Sequence, residues 1–153
     1  MLVGTTGSGA LNWKAMGLPA ELISPLGISE SRLLAQDYYD FFSQLPNETI
    51  DGWRQIPYLR YARRGDLIAW ALPPPNPDTG HIFVVAADPV PVAENTLAVM
   101  AYDASDIHHY DDSRGPRQTG VGSGTFHLWA RPAPECSWQN PNSRRHRFPL
   151  PRR

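Results

Sequence analysis

His81 and Asp103 are the residues of this 153-residue chain whose types and settings best suit proton-transfer chemistry. His81 opens the apolar run Ile82-Phe83-Val84-Val85, directly after Gly80. An imidazole at the mouth of a buried strand is held rigidly and still meets solvent, which is where a general base is useful. Asp103 closes the run Leu97-Ala98-Val99-Met100-Ala101-Tyr102. If the two runs are antiparallel neighbours, the carboxylate accepts a hydrogen bond from the imidazole and sets its tautomer. Each residue also has a structural reading. A histidine at a strand start is often satisfied by a backbone carbonyl, and Asp103 can begin a turn with Ser105 and Asp106.

A second cluster, His108-His109-Tyr110-Asp111-Asp112-Ser113-Arg114, follows. Adjacent histidines in an irregular segment do not give the i, i+4 face of a helical zinc site. Cys136 is the single cysteine, so no intramolecular disulfide and no multi-cysteine metal site can be built. Neither a metal nor another cofactor is expected. Arg114 with Asp112 suits a loop-fixing ion pair or contact with an anionic group of a ligand. Gly120-Val121-Gly122-Ser123-Gly124 has no following lysine, and a strand stands where a phosphate loop needs a helix. It reads as a flexible or tightly turning lead into that strand.

The elements that must position these groups are helical first and extended afterwards. Residues 8–16 suit a short helix capped by Ser8 and ended by Gly17. A stronger helix is expected from Ser29, with Leu34, Tyr38, Phe41, Phe42 and Leu45 on one face and Pro46 as its stop. From Asp66 the pattern changes to β-rich runs at 66–71, 81–87, 97–102 and 124–130, separated by Pro, Gly, Asn and Asp. The spacing is too short for crossover helices, so a mainly antiparallel sheet of about five or six strands is expected in an α+β domain. Trp53, Trp70, Tyr38 and Tyr39 can line a groove, although aromatic residues at these spacings are more often core.

The length suits one domain over 1–153. The formal charge of −1 hides an asymmetry. Residues 131–153 hold six arginines against Glu135, or 6 − 1 = +5, which leaves −6 for the rest. This basic C-terminal segment reads more readily as a solvated, partly frayed end than as a nucleic-acid contact, so no nucleic-acid partner is expected. No apolar run approaches the ~20 residues of a membrane span, and from Met1-Leu2-Val3-Gly4, with no basic or long apolar region, no signal peptide is expected.

Gly65-Asp66-Leu67-Ile68-Ala69-Trp70, then Thr79-Gly80-His81-Ile82-Phe83-Val84-Val85, then Tyr102-Asp103-Ala104-Ser105 resemble the NlpC/P60 family of papain-like cysteine peptidases and amidases. The resemblance covers most of the chain; each motif is short, and their order and spacing carry the weight. It implies N-terminal helices packed on the sheet and hydrolysis of amide bonds, with cell-wall peptides the commonest family substrate and export common among members. His81 would be the base and Asp103 its orienter, with Ser8, Trp70, His109 and Arg114 near the ligand. The family nucleophile is a cysteine in Asp-Cys-Ser-Gly at a helix start, where its thiol pKa is lowered. The best match here is Thr6-Gly7-Ser8-Gly9, so Gly7 holds the nucleophile position and has no side chain to attack with. The readings that follow are an altered hydrolase that binds peptide, a hydroxyl of Ser8 or Thr6 replacing the thiol, and a small α+β interaction module with a structural His81.

Overall fold

In the computed structural model, residues 34–45, 48–49, 53–72, 74–76, 78–130, 136–139 and 148–149 are described. The 8–16 helix and the Thr6-Gly7-Ser8-Gly9 motif, with the positions of Gly7 and Ser8, lie outside them.

Buried and less buried side chains alternate along 96–103 and 121–129, as strands with one covered face require, whereas 80–85 is buried at positions on both faces. Seven strands are described: β1 (Leu67–Ala71), β2 (Gly80–Val85), β3 (Val90–Ala93), β4 (Thr96–Ser105), β5 (Gly120–Ala130), β6 (Cys136–Gln139) and β7 (Phe148–Pro149). They form one sheet in the order β1-β2-β4-β5-β6-β7, with β3 beside the first half of β4. Every pairing is antiparallel. With helix α1 (Ala35–Gln44) packed against β1 and β2, the class is α+β. No helix among the described residues is long and apolar enough to cross a membrane.

The inward positions build one apolar core. Trp70 from β1, Phe83 and Val85 from β2, Leu97, Val99 and Ala101 from β4, and Phe126 and Leu128 from β5 are all buried in one cluster. Ala62 and the partly buried Leu59, from the turn before β1, close over it. Phe83 and Phe126 stack with ring centroids 4.4 Å apart. On the other face Met100, Tyr102 and Val121 are about half exposed.

Three expectations need correction. The described helix α1 begins at Ala35, because Leu34 is extended and the Asp37 carboxylate accepts its backbone N–H at 2.7 Å, so the helix expected from Ser29 does not run unbroken through Leu34; Ser29 itself lies outside the described residues. The sheet has more strands than expected, since β3 is an edge strand whose four residues are all exposed, which removes the alternation that would reveal it. Pro91 is tolerated there because an edge strand need not donate on both sides. Finally, the glycine run is not a turning lead-in: Gly120, Gly122 and Gly124 lie inside β5, paired with Ser105, Asp103 and Ala101.

Candidate active site

The start of β2 is fixed by a short chain of local contacts. Asn76 Oδ1 accepts the Asp78 N–H at 3.1 Å, and Asp78 Oδ1 accepts the Gly80 N–H at 3.0 Å. Gly80 has φ +122°, and a Cβ there would collide with the Trp70 carbonyl oxygen. Only glycine meets both conditions, so Gly80 sets where His81 leaves the backbone.

His81 and Asp103 share the inner face. Val85 pairs with Ala101 across β2 and β4, and steps of two along each strand carry that face to His81 and to Asp103. Their side chains meet: His81 Nε2 is 2.8 Å from Asp103 Oδ2. The His81 side chain keeps 15% of its surface exposed, while that of Asp103 has none. Trp70 and Phe126 flank the His81 ring, with centroids 5.3 and 6.2 Å away.

Asp103 is the centre of a larger network. His109 Nε2 also lies 2.8 Å from Oδ2, in a fully enclosed position. Arg114 Nη2 is 3.1 Å from Oδ1, an ion pair whose angle falls short of a hydrogen bond. Arg114 is otherwise held on all sides. Its Nε and Nη2 grip Asp112 Oδ1 and Oδ2 at 2.8 and 2.7 Å, a bidentate pair. Its Nη1 donates to the carbonyls of Ser105 and Gly120, and its Nη2 to that of Ile107. Asp112 Oδ2 also accepts the His109 backbone N–H at 2.9 Å.

Glycines make the room for this network. A Cβ on Gly122 would fall 2.7 Å from Arg114 Cγ, and one on Gly124 would fall 2.9 Å from His109 Cβ. Real side chains do not approach so closely. The segment 106–119 therefore lies along the first half of β5, paired through Tyr110 with Thr125 and through Ser113 with Ser123. Its side chains drop onto the face that Gly122 and Gly124 leave bare.

The electrostatics follow from these contacts. Burial by itself would raise the Asp103 pKa; the hydrogen bonds from His109 and His81, and the charge these rings carry when protonated, more than reverse this and bring it to about 2. Asp112 is opposed by burial in the same way, but its bonds from Arg114 and from two backbone N–H groups hold it well below the usual carboxylate range. The Asp112 bonds, partly offset by burial, raise Arg114. Asp103 is thus an ionised acceptor at neutral pH. Both imidazoles must then donate through Nε2–H.

Two imidazoles and a carboxylate with donor atoms within 4.8 Å of one another are also a metal-ligating set. The spacing fits protons better. A contact of 2.8 Å is a hydrogen-bond length, whereas donors around a tetrahedral ion with bonds of about 2.1 Å stand ~3.4 Å apart. Arg114 already sets a cation against the carboxylate.

Of the residues expected at the site, His81, Asp103, His109 and Arg114 converge, and Trp70 packs beside His81. Trp70, His109 and Arg114 are buried. The bare face of β5 draws the His109 and Arg114 side chains inward, while Trp70 belongs to the apolar core of β1. The link from His109 to Asp103 was not anticipated; alternating glycines inside a β-rich run were its available signal. Searches against protein-family models, curated proteins and solved structures find no match to this chain.

Proposed function

We propose that the chain carries a papain-like amide-hydrolase site of the NlpC/P60 type, with His81 as the base and Asp103 as its orienter. With Gly7 in the nucleophile position, the site binds amide or peptide ligands, cell-wall stem peptides among them, and turns them over little or not at all. One observation supports this reading above the others: the 2.8 Å contact between His81 Nε2 and ionised Asp103. With the proton committed to Nε2, the neutral ring keeps its lone pair on Nδ1. Nδ1 makes no hydrogen bond to any described residue, and the ring is the partly exposed member of the network. A bare, oriented nitrogen beside solvent is what a general base requires.

The test restores the missing group. Gly7→Cys is expected to raise cleavage of stem-peptide amide bonds at least tenfold over the parent, and His81→Ala in that background abolishes the gain. Robust activity in the parent that survives His81→Ala would reject the proposal, as would an inert Gly7→Cys chain.

A second reading has its own support. Asp103 is engaged by the enclosed His109 and Arg114 as well as by His81, which is also what a structural polar core looks like. In that case the protein is a small α+β interaction module. Titration with stem-peptide fragments separates the two, because shifts centred on His81 belong to a ligand site and their absence to a structural histidine.

A further inference from the structure

We propose that His109 is a positioning residue for His81, acting through Asp103 and never meeting the ligand. The proposal rests on the reading of His81 as the base and adds how that base is held. An aspartate carboxylate turns easily, because its terminal torsion is broad and roughly two-fold. One bond to His81 does not stop that turning. His109 does: it places a second N–H on the same Oδ2 atom, at the same 2.8 Å. Two donors from different directions fill the two lone pairs of Oδ2, and Arg114 stands 3.1 Å from Oδ1. The carboxylate is then fixed from three sides.

His109 is itself immobilised. Its backbone N–H donates to Asp112 Oδ2 at 2.9 Å. Its ring lies on Phe126, with centroids 3.8 Å apart and planes inclined by 33°. Gly124 permits this seat and no larger residue would. The chain of contacts runs from the bidentate Arg114–Asp112 pair through His109 to Asp103 and ends at His81, where solvent begins. A side chain needed only to fill space beside Phe126 would be apolar. An imidazole there brings an N–H, and that N–H goes to the one oxygen that orients His81.

Histidine NMR on the intact, 15N-labelled chain tests this without turnover. In the parent, both His81 and His109 are expected as Nε2–H tautomers, and His109 as the Nδ1–H form would overturn the proposal with no variant required. His109→Phe keeps the ring and its stacking but donates nothing. Its expected result is a shift of the His81 nitrogens towards averaged tautomer values and a rise of at least one unit in the Asp103 carboxyl pKa. His109→Gln, which restores an N–H donor, recovers part of both. Unchanged His81 nitrogens and an unchanged Asp103 carboxyl in His109→Phe would overturn it. So would zinc that binds the parent at micromolar concentration and shifts both imidazoles together, since the three residues would then be a metal site. The hydrolase reading fails separately: an inert Gly7→Cys chain with the His81 tautomer still locked rejects the chemistry, not the positioning contact.

Discussion

Along β2, β4 and β5 the inward positions read Val85 and Phe83, Leu97, Val99 and Ala101, and Leu128 and Phe126 at one end. At the other end they read His81, Asp103, Gly124, Gly122 and Gly120. The same strands, on the same face, build hydrocarbon in one half and a charged network in the other. The apolar half is filled by its own side chains. The polar half is filled from outside the sheet, by Arg114, Asp112 and His109 of the 106–119 segment lying over glycines. The hydrocarbon half needs only volume and shape. The polar half needs every charge answered, and its formal count, with neutral imidazoles, is two carboxylates against one guanidinium.

The sharpest way to break this comparison is to remove one member from each half. Leu128→Ala costs about 2–5 kcal/mol through lost burial and the cavity left behind. Arg114→Met strands Asp103 and Asp112 without their cation and costs about 3–5 kcal/mol. The two losses respond differently to acid. Protonating the stranded carboxylates relieves the Arg114→Met deficit, so its cost falls as pH drops, while that of Leu128→Ala stays level. Urea denaturation of both variants from pH 7 to pH 3 measures this. Parallel pH profiles would mean that the polar half is not held by charge.

How far the sequence disclosed each half follows from the range of the contacts. The β-rich runs were legible because their composition and the Pro, Gly, Asn and Asp breaks between them are local properties, and with them came the α+β class. The pairing of His81 with Asp103 was legible for the same reason: each sits at the end of a recognisable run, and short connections imply antiparallel neighbours. The Arg114–Asp112 pair spans only two positions of the chain and was equally readable. The reach of His109 to Asp103 was not. It depends on Gly122 and Gly124 baring a face of β5, and glycines in a row suggest a turn unless their period of two is noticed. The edge strand β3 was hidden because no residue of it is buried.

The polar half also predicts a specific acid sensitivity in the parent. The Asp103 pKa is about 2 in the folded protein against 3.8 when unperturbed. A depressed folded pKa means that ionised Asp103 contributes its full share of stability above about pH 4, and that this share is lost as pH falls from about 4 towards 2. The amount is about 2 kcal/mol, with Asp112 acting in the same direction. Stability of the parent and of Asp103→Asn, followed by urea midpoint between pH 5 and pH 2, checks it. The variant starts lower but loses less over that window. Equal slopes would show that Asp103 does not carry the acid response.

The smallest expected effect is the most local test of how the polar half is packed. Gly122→Ala adds one methyl on the inward face of β5, where Arg114 Cγ, Nε and Cδ would stand only 2.7–2.8 Å away. The backbone at Gly122 needs no left-handed conformation, so the cost is steric alone. Arg114 cannot swing aside freely, because Asp112 and three carbonyls hold its guanidinium. Overpacking of this kind costs about 1–2 kcal/mol. The neighbouring Val121→Ala, on the opposite and half-exposed face, stays within about 0.5 kcal/mol. Amide exchange across 106–119 should quicken in Gly122→Ala and not in Val121→Ala, because only the inward methyl lifts Arg114 from its carbonyls. If the two substitutions cost the same and leave exchange alike, the glycines of β5 are not what seats the network, and the contrast between the two halves of the face loses its cause.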